Sequence, residues 1–118
     1  MSIESTQRVV IQSLSPEQQR QQDDVRAQAW AVVRRAADLL RQGFGVTKIM
    51  ASGSLAYGGF LTLDSTLELV AWDIPADRYF RAVGELQLLS PDFAINLLDG
   101  DRVRPHWWEV IRKEVVDV

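Results

Sequence analysis

Residues 25–40 constrain this chain more than any other segment. Val25, Ala29, Val32, Val33, Ala36, Leu39 and Leu40 recur there at helical spacing, and Gly43 and Gly45 then close the run. Residues three and four apart share one face of an α-helix, so this helix needs a second layer to cover its apolar stripe. Leu14-Ser15-Pro16-Glu17 provides the entry: Ser15 is free to cap, Pro16 is preset for the first turn, and Glu17 suits the positive helix end. The spacing predicts a helix from there to about Gln42, with the two glycines as stop signals. Residues 18–24 are polar all round and are predicted to project into solvent.

The second layer is written in the rest of the chain. Residues 46–52 and 67–74 read as strands, 75–89 as a helix opened by its proline, 93–98 as a third strand and 105–114 as a final helix. That order predicts an α+β fold, a small mixed β-sheet with helices packed on it, occupying residues 14–118 as one domain. Arg8-Val9-Val10-Ile11 is β-prone without a sheet neighbour of its own, so residues 1–13 are read as an N-terminal arm that pairs with a second chain or a partner.

Composition narrows the function classes. With 118 residues, 47% hydrophobic and 25% charged, the chain suits one globular core of ordinary size. No apolar run reaches the ~20 residues needed to span a bilayer, and no basic region followed by a hydrophobic stretch opens the sequence, so a cytoplasmic protein without a membrane partner is expected. The net charge of −3 argues against broad nucleic-acid binding, which depends on neutralising phosphates with Lys and Arg. There is no cysteine, and His106 is the only histidine, so neither thiolate chemistry nor a His-rich zinc site is available within one chain.

Gly53-Ser54-Leu55-Ala56-Tyr57-Gly58 closes the first strand and is followed by Ser65-Thr66-Leu67-Glu68-Leu69. Backbone amides in such a glycine turn can hold phosphate oxygens, which makes Gly53, Ser54 and Gly58 candidate nucleotide-binding residues. An ordinary strand-to-helix turn is the plainer reading of the same residues. Glu68 is the carboxylate nearest in sequence on the following strand, with Asp64 in the intervening loop beside Phe60, Leu61 and Leu63.

This pairing resembles the minimal nucleotidyltransferases of the DNA polymerase beta superfamily, whose signature runs Gly-Ser-x-Ala-x-Gly, a short loop, then Ser-Asp-x-Asp-Leu. The resemblance extends upstream to the helix ending in Phe44-Gly45. Downstream it takes in Val70-Ala71-Trp72-Asp73-Ile74-Pro75, Ser90-Pro91-Asp92-Phe93-Ala94-Ile95-Asn96-Leu97-Leu98-Asp99 and Ile111-Arg112-Lys113-Glu114-Val115-Val116, roughly residues 24–118. It implies a site in which two aspartates on one strand and a third on its neighbour hold two Mg²⁺. Thr66, Glu68 and Asn96 stand at those positions here, leaving one formal negative charge where the resemblance implies three.

Two Mg²⁺ bring four positive charges, so paired metal binding should be badly weakened. Glu68 can still ligate, but its extra methylene moves the carboxylate by roughly 1.5 Å relative to Asp, and Asn96 cannot act as a general base near neutral pH. Asp64 or Asp99 could replace a lost ligand; a solvated turn residue is the plainer reading of each. The leading expectation is therefore a catalytically degenerate nucleotidyltransferase-like protein that acts as an antitoxin-like, protein-binding module, with or without residual nucleotide binding. Relatives of this kind occur as antitoxin partners of HEPN-type RNase toxins, so the resemblance implies such a protein partner. Trp107 and Trp108, together with the arm, are candidate partner-binding residues, and a homo-oligomer is the other assembly considered. The alternative is an active nucleotidyltransferase that uses Glu68 and Mg²⁺ to transfer a nucleotide to a protein or RNA.

Overall fold

The computed structural model describes residues 13–106, 109 and 116–118. The first helix, α1 (Pro16–Phe44), begins as the sequence predicts: Ser15 Oγ accepts from the Gln18 amide while the Gln18 side chain accepts from the Ser15 amide, a reciprocal capping box. It ends at Gly45, whose left-handed φ of 67° lets its amide return to Leu40 O. The Val46 amide bonds to the same carbonyl, so the cap consumes residues that strand periodicity alone would give to the sheet. The first strand, β1 (Lys48–Ser52), consequently starts later than predicted.

After β1 come a short helix α2 (Ser54–Tyr57), strand β2 (Thr66–Trp72), a 3₁₀ turn (Ala76–Arg78), helix α3 (Tyr79–Gln87), strand β3 (Ala94–Asp99) and a two-residue strand β4 (Val116–Asp117). Residues 75–89 were expected to form one helix; Pro75 instead holds φ −55° and ψ 132°, which is not helical, and the α-helix opens only at Tyr79. The sheet order is β3-β2-β1-β4, with β2 and β3 parallel and the other pairs antiparallel, so the fold is α+β with a mixed four-stranded sheet and flanking helices. Residues 105, 106 and 109 are helical, but most of the final predicted helix, the arm at Val9, Val10 and Ile11, and both Trp107 and Trp108 lie outside the described residues.

Because strand side chains alternate, the register fixes two faces. Ile49, Ala51, Leu67, Leu69, Ala71, Ile95 and Leu97 share one face, where they are buried with Val32, Val33, Ala36 and Leu40 of α1 and Ala82 and Leu86 of α3. The opposite face carries Lys48, Met50 and Ser52 from β1, Thr66, Glu68, Val70 and Trp72 from β2, and Asn96 and Leu98 from β3. Thr66, Glu68 and Asn96 therefore lie on the face away from α1, whereas Asp99, the register partner of Ala71 at the end of β3, falls on the other parity. Among the described residues, no helix is long and apolar enough to cross a membrane.

The edge at β3 is closed by side chains. The Gly100 amide bonds to Ala71 O, so even-numbered residues turn their backbone groups toward β2, and the carbonyls of Ile95 and Leu97 point outward. Gln87 Nε2 donates to Ile95 O at 2.5 Å and Tyr79 Oη donates to Leu97 O at 2.6 Å. Two side chains of α3 thus satisfy the acceptors that an exposed strand edge would offer to another chain.

Candidate functional site

The glycine turn is built between β1 and α2. Gly53 adopts φ 73° and ψ −156°, a region open essentially to glycine alone, and Gly58 terminates α2 at φ 82° with its amide on Ser54 O. Ser54 Oγ lies 3.1 Å from Tyr57 Oη, so its hydroxyl is already engaged within the turn.

Two residues of α1 that sequence reasoning missed hold this region in place. Gln22 was expected to face solvent, yet it is buried: its Nε2 donates to Leu61 O at 2.6 Å, and its Oε1 accepts from the Leu61 amide at 3.0 Å. Both polar ends of the amide are satisfied, which is what makes its burial affordable. One turn further on, Arg26 donates to Leu55 O at 3.0 Å and to Gly59 O at 2.5 Å, joining both ends of α2 to α1. Burial pushes the Arg26 pKa down, and the neighbouring charge of Asp23 opposes that shift. Leu61 is thereby drawn into the core, whereas Phe60 and Leu63 of the same loop stay partly exposed.

Glu68 stands beside the turn. It is the register partner of Ser52 on one side and Asn96 on the other, and Ser52 Oγ lies 3.4 Å from its Oε2. A Cβ built on Gly53 would come within 2.8 Å of the same Oε2, so the carboxylate packs directly against the glycine. Thr66 lies two residues earlier on the same face and is exposed, as is Asn96. The structure therefore brings Ser52, Gly53, Glu68 and Asn96 together, with Thr66 at the rim.

The remaining acidic candidates have local roles. Asp64 is exposed in a turn where its amide donates to Thr62 Oγ1 and Ser65 Oγ accepts from the Thr62 amide. Asp99 accepts from the Asp101 amide at 3.0 Å and pairs with Arg102 Nε at 3.4 Å, closing the turn after β3. Among the described residues, no group of three or more histidine, aspartate or glutamate side chains gathers as a metal site. A single carboxylate flanked by a hydroxyl and an amide does not fit a pair of Mg²⁺ ions, which take oxygen ligands dominated by carboxylates and substrate phosphates.

A cavity of about 590 Å³ opens beside Glu68 and is lined by Tyr79, Leu98, Asp99, Arg102, Val103 and Arg104. Its volume is in the range of small-molecule sites. Arg102 is paired with Asp99, while Arg104 has no carboxylate partner among the described residues. Neither arginine was legible as a site residue, because nothing in their spacing places them near Glu68; the turn at Asp99 does so. No protein-family model, curated protein or solved structure matches the chain.

Proposed function

We propose that this protein is a nucleotidyltransferase-like domain that no longer carries out metal-dependent transfer and works by binding a protein partner. The observation that supports this reading most is the make-up of the cluster around Gly53: Glu68 and Asn96 are direct neighbours across β2 and β3, beside a glycine turn, and only one of them is a carboxylate. Nucleotidyl transfer through two metals requires ligands that balance their charge and align the attacking and leaving oxygens. One carboxylate, already packed on Gly53 and within reach of Ser52, supplies neither requirement. The partner suggested by the sequence resemblance is a small helical RNase toxin of the HEPN type, masked by contact rather than by modification. The cavity beside Glu68, with Arg104 on its wall, favours a second reading in which a nucleotide is held without turnover.

The test is transfer of radiolabelled nucleotide, with Mg²⁺ or Mn²⁺, to the protein itself and to any partner that co-purifies with it. The expected result is no label above a metal-free control. Label that depends on metal and disappears in Glu68→Ala would establish the active alternative instead.

A further inference from the structure

Phe80 and Gly84 of α3 and its C-cap residue Leu88 share one exposed face, where the Phe80 ring meets the Tyr79 ring edge-on at 5.4 Å. Phe80 and Leu88 are 83% and 86% exposed, far more than any other large apolar side chain described. Gly84 lies midway between them at i+4 from each, inside the helix, and a Cβ built on it meets nothing within 4 Å. A glycine inside a helix destabilises it relative to alanine, and among the described residues no close approach requires it. The exposed positions of α3 and its C-cap are Phe80, Arg81, Gly84, Gln87 and Leu88, so Gly84 marks the centre of the face that points away from the core.

We infer that this face is a weak two-fold interface between copies of the chain, formed by antiparallel pairing of α3 about Gly84. The spacing Phe80-Gly84-Leu88 is self-complementary: a two-fold axis through Gly84 sets Phe80 of each copy against Leu88 of the other, while the missing side chain at the centre lets the helices approach closely. The charges agree with this arrangement. Arg81 and Glu85 pair on one flank of the helix at 3.5 Å, and the same axis brings Arg81 of one copy alongside Glu85 of the second, so opposite rather than like charges meet. A contact between two nine-residue helices buries roughly half of the ~800 Å² per partner found in stable complexes, which fits concentration-dependent association rather than an obligate dimer. The opposite flank is occupied, since Gln87 is turned onto the edge of β3. This inference is independent of the functional proposal above.

The chain has no cysteine, so single thiols can report the geometry directly. Phe80→Cys and Leu88→Cys proteins, treated with a short thiol cross-linker, should each give little covalent dimer alone and several-fold more when mixed. Sedimentation velocity on the full chain should show the average mass rising toward twice the monomer with concentration. Gly84→Arg and, separately, Leu88→Lys should abolish that rise while leaving the far-ultraviolet circular dichroism unchanged; both positions are open, so either variant suffices if the other misfolds. Gly84→Ala separates association from folding, because it should raise the thermal midpoint while weakening the dimer. The inference is overturned if the wild-type chain stays monomeric throughout the series, if folded Gly84→Arg or Leu88→Lys protein dimerises as the wild type does, or if cross-linking in the mixture does not exceed that of the single variants.

Discussion

Glu68 rests its carboxylate on Gly53, so tightly that a methyl group on the glycine would stand 2.8 Å from Oε2. Gly53→Ala should therefore meet two penalties: a backbone region that L-residues avoid, costing on the order of 1–3 kcal/mol, and the contact with Glu68. Chemical denaturation of Gly53→Ala, Glu68→Ala and the double variant separates them. The double variant should recover the part of the loss due to contact and retain the part due to the backbone; full recovery would mean that the turn itself is not strained.

Removing the side chain of Gln22 leaves the buried amide and carbonyl of Leu61 without partners. Gln22→Ala is expected to destabilise the fold by about 2–4 kcal/mol, a sum of two unsatisfied backbone groups. The same change at exposed Gln21, one residue away, should cost less than about 0.5 kcal/mol. Equal effects at the two positions would contradict the clamp.

The contrast between those two glutamines shows what was legible in the sequence. The apolar period of α1, its Ser15 cap and the stop at Gly45 are local chemistry, and the structure follows them closely. That Thr66 and Glu68 share one strand face with Asn96 on the neighbouring strand was implied by the resemblance; the parallel register that sets Glu68 directly opposite Asn96 was not legible in the sequence. Burial of Gln22 was not, because its partner is a backbone group 39 residues away and no periodicity records such a bond. The arginines of the cavity are in the same position, since they depend on how the turn at Asp99 folds back. The 3₁₀ start before α3 and the two-residue strand β4 are too short for periodicity to register.

Gly100 packs against the indole of Trp72, where a Cβ would lie 2.3 Å from the ring. Gly100→Ala should cost about 1–3 kcal/mol by overpacking. In a Trp72→Ala background the same substitution should cost little, because the ring that it strikes is gone. A loss of the same size in both backgrounds would show that the indole is not what restricts the position.

If Thr66, Glu68 and Asn96 share the site face as the register indicates, replacing all three with aspartate should create a divalent-ion site where the wild-type cluster offers only one carboxylate. Calorimetric titration with Mn²⁺ should show at least about a tenfold gain in affinity over wild type. An unchanged titration by a folded triple variant would count against this placement of the three side chains.

The most direct measurement on the central claim is calorimetric titration of the 118-residue chain with ATP, with and without Mg²⁺. The proposed absence of a two-metal site predicts that magnesium makes no difference: either no heat in both titrations, or the same weak binding in both, unaffected by Glu68→Ala. Tight ATP binding that appears only with Mg²⁺ and vanishes in Glu68→Ala would contradict the account, because it would show that one carboxylate on the face opposite α1 still assembles a working metal–nucleotide site.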